Sequence, residues 1–335
     1  MRRHTTMEYV AHWIDVWNSN EWREDTAAWI DAACEAYGIQ REGDVDFWPA
    51  TLQQISALVR TDAADLIFTA TAPGLTAEAA ITVAAGQLLP ERVVMPLAID
   101  RTAGYLLSPD FGHTVQALGE TVESWEFALR SLASLQVGLM GQEQTFFDAG
   151  MPVVDPQFLP EQFDQALMLH VSLENGHPLA ITGEQADELY AGTPALAEAC
   201  QVLAQAPVPL SVEHGAFGLD QVVIPPEVGL HGRILNLGAG HWAHPFSSLA
   251  QPLAAMQQQW DCEIQDERIM RALFAYLEEF SAYGTPDELY ALIDPACLIA
   301  PLAQHEAWLR LLVEAEPAEI EHFAPQILQT LQISE

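Results

Sequence analysis

The chain of 335 residues has no lysine: all twelve basic residues are arginines, and none stands between Arg130 and Arg233. Set against 47 acidic residues, this leaves a formal net charge of −35 and an isoelectric point near 4.3. Such a surface repels polyanions, which argues against nucleic-acid binding and adhesion to anionic membranes. It attracts cations, and it also serves plain solubility. Cysteine is scarce. Cys34, Cys200, Cys262 and Cys297 form no C-x-x-C pair, which excludes a zinc ribbon and points to free thiols in a reducing cytoplasm. No uncharged apolar run reaches the roughly 18 residues of a membrane span. The opening Met1-Arg2-Arg3-His4 leads into no signal-peptide-like segment. Between Gly43 and Gly74 there is no glycine, so that stretch offers few flexible N–H groups to cradle a phosphate.

What is present is a core. Half the residues are hydrophobic, enough at this length for two lobes or two small domains. Residues 8–37 predict a helix in which Trp13, Trp17, Trp22 and Trp29 recur near helical spacing, with a break at Asn18 to Glu21 and a stop at Gly38. The tryptophans read as packing rather than as a ligand cage. Ile55, Ala57 and Val59 alternate, 61–65 turns, and 66–70 returns as a buried strand, which predicts a hairpin. A helix over 76–89 follows, with Thr76 as a candidate N-cap, then two strands within 93–107 around a turn at 100–104. Further helices are expected at 119–140, 161–175 and 183–205, short strands near 210–212, 222–224 and 234–235, and helices from Pro245 onward, broken at 284–286, Pro295, Pro317 and Pro325. This is an α+β order: a small β-rich lobe with a helical extension over 1–107, a hinge over 108–118, and a larger helical lobe over 119–335.

Two loops of the second lobe carry the chemistry. One is Glu213-His214-Gly215-Ala216-Phe217-Gly218-Leu219-Asp220-Gln221. The other is Ile234-Leu235-Asn236-Leu237-Gly238-Ala239-Gly240, leading into His244-Pro245-Phe246-Ser247-Ser248-Leu249. In order and spacing they resemble the aminoglycoside phosphotransferase and choline kinase superfamily, with its H-G-D-x-H-x-x-N loop, D-[WF]-G-D strand end and [HD]-P-x-x-[DS]-L stretch. Ala64 to Thr71 resembles that family's lysine-bearing strand, Glu78 to Thr82 its following helix, and Tyr105-Leu106-Leu107 the strand before the hinge. The resemblance spans nearly the whole chain. It implies a protein-kinase-like two-lobe fold with a nucleotide site at Thr69, Glu78, Leu107 and Ser108.

The resemblance also exposes what has changed. Phosphoryl transfer needs a carboxylate near the acceptor hydroxyl, oxygen ligands for magnesium and positive charge on the phosphates. The family's catalytic aspartate aligns with Ala216, whose methyl group can take no proton. Its two metal ligands align with Gln221 and Asn236, which keep oxygens but no charge. Its lysine aligns with Thr69, which leaves Glu78 without the expected partner, and a further carboxylate aligns with Ala239. His214 matches a histidine that supports the loop. Asp220 reads as a turn residue or a displaced base. Glu213 is expected to face solvent or cap its strand, His241 to face the cleft, and His244 to brace the Pro245 turn. Asp110-Phe111-Gly112 spells the kinase metal tripeptide in the wrong place, and Gly238-Ala239-Gly240 is too short for a dinucleotide fingerprint. The expectation is a pseudokinase with no confident cofactor, whose cleft takes a cationic or neutral small molecule, and for which a protein partner is conceivable. The alternative is an active small-molecule phosphotransferase using Mg-ATP with Gln221 and Asn236 on the metal.

Overall fold

The computed structural model describes residues 11–225, 229 and 231–333. The charged opening at 1–10, where the first predicted helix was to begin, lies outside the described residues. That helix is two, α1 (His12–Asn18) and α2 (Asn20–Ala36). They are separated at Ser19, inside the predicted break, where the Ser19 hydroxyl accepts from the Trp22 N–H at 3.2 Å as an N-cap. Five strands follow around one helix: β1 (Asp46–Phe47), β2 (Gln54–Val59), β3 (Leu66–Thr71), α3 (Glu78–Leu88), β4 (Ala98–Asp100) and β5 (Tyr105–Pro109). They form one antiparallel sheet in the order β1-β2-β3-β5-β4. Thr76 caps nothing, because a 3-10 turn at Pro73–Leu75 intervenes and α3 starts without a side-chain cap.

Strand alternation divides this sheet. Ile55, Ala57, Val59, Phe68, Ala70 and Leu107 turn to a core shared with Trp13, Trp17 and Ile30 of the two leading helices. Trp22 and Trp29 pack edge-on against Phe68 and Tyr105. All four tryptophans therefore serve packing. The opposite face looks toward the second lobe. β5 continues through Ser108 and Pro109, which pair with Ile67 and Leu66, so the chain leaves the sheet two residues later than predicted.

The second lobe holds α4 (Val122–Leu139), α5 (Glu143–Asp148), β6 (Val153–Val154), α6 (Leu159–Ser172), α7 (Gly183–Tyr190) and α8 (Thr193–Gln205), then β7 (Ser211–Glu213), β8 (Val222–Val223), β9 (Arg233–Ile234) and β10 (His241–Ala243), and finally α9 (Ala250–Trp260), α10 (Glu267–Glu279), α11 (Pro286–Tyr290), α12 (Ile293–Leu311), α13 (Pro317–Ile320) and α14 (Ala324–Gln329). The helix predicted over 183–205 is broken between α7 and α8. Pro194 has no N–H to donate and its ring would clash with a preceding helical turn, so it stands in the first turn of a new helix. The prolines at 286, 295, 317 and 325 likewise sit in opening turns.

α4 and α10 pack side by side around Tyr276, Phe246 and Phe280. Buried Gln136 of α4 ties this core to the loops: its amide donates to Val212 O, Pro245 O and Ser248 Oγ, and its oxygen accepts from the Tyr276 hydroxyl at 2.6 Å. Buried His170 and His305 meet Nε2 to Nε2 at 3.0 Å, joining α6 to α12, and His305 Nδ1 lies 2.9 Å from Thr330 Oγ1. Among the described residues no helix is long and apolar enough to cross a membrane.

Candidate functional site

Between the polar face of the sheet and the two loops lies a cavity of about 310 Å³. The sheet contributes Gln54, Ser56, Ile67, Thr69, Leu106 and Ser108, and the loops contribute Asp220, Gln221, Leu235 and Asn236. The two-residue period corrects one expectation. Leu106 and Ser108 line the cavity, while Leu107 points to the opposite face and is buried in the first lobe's core. Among the described residues no arginine lines the cavity. Where a lysine was missed, Thr69 Oγ1 stands 3.1 Å from Ser56 Oγ on the adjacent strand, so the position is filled by a neutral hydroxyl pair.

Glu78 is not left alone. It is buried at the start of α3 and accepts from Thr82 Oγ1 at 2.7 Å and from the backbone N–H of Gly238 in the second loop. Burial pushes its carboxyl above the usual range, against the lowering effect of these donors. The partner that a lysine would have supplied has been replaced by loop backbone. Gly238 has to be glycine, because a Cβ there would lie 2.6 Å from Glu78 Oε2 and 2.7 Å from its Cβ.

The loop residues meet as predicted, but they bind one another. Asn236 Nδ2 donates to Gln221 Oε1 at 2.7 Å, and Gln221 Nε2 donates to Asp220 Oδ2 at 2.7 Å. Asp220 is exposed and makes this side-chain bond rather than an Asx turn. Asn236 takes a left-handed backbone (φ 56°, ψ 59°), a conformation asparagine tolerates better than most residues. Ala216 shares a recess of about 30 Å³ with His214, Gln221 and Asn236. His214 supports the loops as expected: its Nε2 lies 2.8 Å from Leu235 O, and burial lowers its pKa. Magnesium does not fit these residues. The two positions aligned with metal ligands hold neutral amides, the Gln221 oxygen already accepts a hydrogen bond, and the exposed carboxylate beside them, Asp220, is bonded to Gln221 Nε2. Among the described residues no group of three or more His, Cys, Asp or Glu side chains is arranged to hold a metal ion.

Behind the loops lies a network that the sequence reading missed. Glu213 does not face solvent. It is buried, its Oε1 accepting from the Gly215 N–H at 2.7 Å and its Oε2 lying 3.1 Å from His241 Nδ1. Nor does His241 face the cleft: fully buried, it turns its Nε2 to Glu306 of α12 at 2.7 Å. Burial alone would hold this imidazole neutral; the hydrogen bonds to Glu213 and Glu306 outweigh it and raise its pKa. Glu306 lies 3.3 Å from Arg310 Nε one turn on. Arg310 in turn reaches the carbonyls of Gly238, Ala239 and Gly240 at 2.7, 3.2 and 3.3 Å. His244 braces the Pro245 turn, its Nδ1 accepting from Phe246 N–H, and burial presses its pKa down to about 3. The only advance signal was an i, i+4 Glu–Arg pair in a chain poor in cations.

No family model matches the sequence, and no curated protein sequence matches it. Solved structures do match. A macrolide 2'-phosphotransferase from Brachybacterium faecium superposes with a TM-score of 0.55 at 18% identity, covering 93% of this chain and 99% of that one. A GDP complex of aminoglycoside 2'-phosphotransferase-IIIa gives 0.60 at 13% identity over 93% and 97%. A Plasmodium vivax ethanolamine kinase gives 0.58 at 11% over 86% and 81%. The chain has the aminoglycoside phosphotransferase and choline kinase fold. At these identities the likeness establishes architecture, and function has to be argued from the site.

Proposed function

We propose that this phosphotransferase-fold protein is a pseudokinase: a binding or regulatory protein whose interlobe cavity holds a small molecule and does not pass phosphate from Mg-ATP. One observation carries the reading. The positions that would bring a base and two metal-binding oxygens to the reacting phosphate hold a methyl group, Ala216, and two amides, Gln221 and Asn236, bonded to each other. A polyphosphate would enter a cavity that no cation lines among the described residues, on a chain of net charge −35, where unneutralised charge is strongly disfavoured. The hydroxyl and amide lining, with the Asp220 carboxylate on the wall, suits a neutral or a cationic ligand. The same charge balance disfavours nucleic acid and anionic membranes as partners. Cys34 and Cys200 are buried free thiols and no cysteine is paired, which supports a cytoplasmic setting.

Thermal unfolding with and without millimolar Mg-ATP or Mg-GTP tests the proposal. A nucleotide at 100 times its Kd would add about 2.7 kcal/mol of stability. No shift is expected; a clear magnesium-dependent rise in Tm overturns the loss of nucleotide binding, and phosphate transfer to an acceptor overturns the pseudokinase reading. A second reading, a weak small-molecule phosphotransferase, draws on Asp220, an exposed carboxylate on the cavity wall. It requires phosphate transfer to an amine- or hydroxyl-bearing acceptor that disappears in Asp220→Asn. Restoring Ala216→Asp, Asn236→Asp and Thr69→Lys together asks whether the lost groups alone separate this fold from nucleotide binding.

A further inference from the structure

We infer that Arg310 is the positioning residue of the lobe junction: its guanidinium, linked through Glu306 and His241 to Glu213, sets the shape of both cavity loops without metal or ligand. Three successive carbonyl oxygens, those of Gly238, Ala239 and Gly240, converge on this one side chain. Their dipoles repel one another, and such a cluster away from water needs donors or a cation. Arg310 provides both, and its planar fork reaches several acceptors at once.

The clamp is two-sided. On the N–H side of the same loop, Gly238 donates to Glu78 of the first lobe. On the C=O side stands α12 of the second lobe. The first lobe also abuts α12 directly, since a Cβ on Gly74 would collide with the backbone oxygen of Arg310, and the Ile234 N–H donates to Arg92 O at 2.8 Å. From Arg310 the contacts run through Glu306, His241 and Glu213, ending at the Gly215 N–H of the first loop. Burial lowers the pKa of His214, the other ring beside Glu213. An arginine, a histidine and two glutamates thus link both loops to one helix. Glu213 and His241 are buried and the Glu306 side chain is half-exposed, so loss of one member leaves buried partners uncompensated. The inference concerns how the cavity is held and stands whichever ligand it takes.

Amide hydrogen exchange on the full chain tests it, with wild type compared in EDTA and in millimolar magnesium, and with Arg310→Met, Arg310→Lys and Glu306→Gln. Wild-type exchange at 213–216 and 236–241 should be the same in EDTA and magnesium. Arg310→Met should raise exchange there and at 78–82 by about tenfold or more, with α4 unchanged, because local opening is coupled through the clamp. Arg310→Lys should recover part of the protection, since charge returns without the fork, and Glu306→Gln should loosen both loops. The inference fails if magnesium protects the wild-type loops, or if Arg310→Met loosens only α12. It fails equally if lysine gives no recovery over methionine. Should the methionine variant not fold, Glu306→Gln with tightly protected loops would overturn it.

Discussion

At the scale of single residues, the site is defined by substitutions that exchange charge for fit. Thr69 satisfies itself on Ser56, and Asn236 and Gln221 satisfy each other. The hydroxyls and the amide nitrogens are thus engaged within the protein, and the Asn236 oxygen is the acceptor these bonds leave open to the cavity. Gly238 is the least replaceable. A methyl group there would drive into Glu78, and overpacking of this kind costs about 1–3 kcal/mol. Gly238→Ala is therefore expected to lower stability in denaturant titration by that amount, and Glu78→Gly in the same chain should recover part of it, because it removes both the Oε2 and the Cβ contacts, whereas Glu78→Ala keeps the Cβ at 2.7 Å and should not. A loss that Glu78→Gly leaves untouched would mean that the collision is elsewhere.

At the scale of elements, histidines set the pH response. Burial, with the neighbouring His170 acting in the same direction, lowers His305 to about 4, and burial presses His244 down to about 3. Both are neutral in the fold and take up protons near 6.5 when unfolded. Their contribution is complete above pH 6.5 and is lost as pH falls toward 4 and 3, on the order of 3 kcal/mol for His305 and about 5 kcal/mol for His244. His241 has the opposite sign. Its pKa is raised, so its contribution is complete below 6.5 and is lost as pH rises through its folded value. Stability should peak just below neutrality, and His241→Gln should flatten the alkaline side alone. Chemical denaturation across pH 4 to 9 checks both limbs.

The same elements show what was legible beforehand. The β2–β3 hairpin, the two-lobe order and the loop-supporting role of His214 follow from alternation, turn residues and spacing, all local properties. Leu107 was placed on the wrong face because a resemblance gives a position and not the parity of a strand. Glu213, His241, Glu306 and Arg310 were invisible as a set because they come from three separate segments that only the folded lobe brings together. The break before Pro194 is legible in principle, since proline opens helices, but the apolar run on either side of it masks the signal.

At the scale of the molecule, α12 decides how the parts behave together. His305 faces α6 and α14, while Glu306 and Arg310 on another side hold the cavity loops, and Gly74 of the first lobe rests on the same helix. Two lobes joined only by a hinge would melt separately, whereas a shared helix makes each lobe's loss the other's. Calorimetry should show a single transition with matching calorimetric and van't Hoff enthalpies, and two resolved peaks would contradict this. Glu306→Gln should split or broaden it. Such a helix acts as a camshaft. A turn of a few degrees, whether imposed by a partner at the last helices or by a ligand in the cavity, is felt at once at the opposite end.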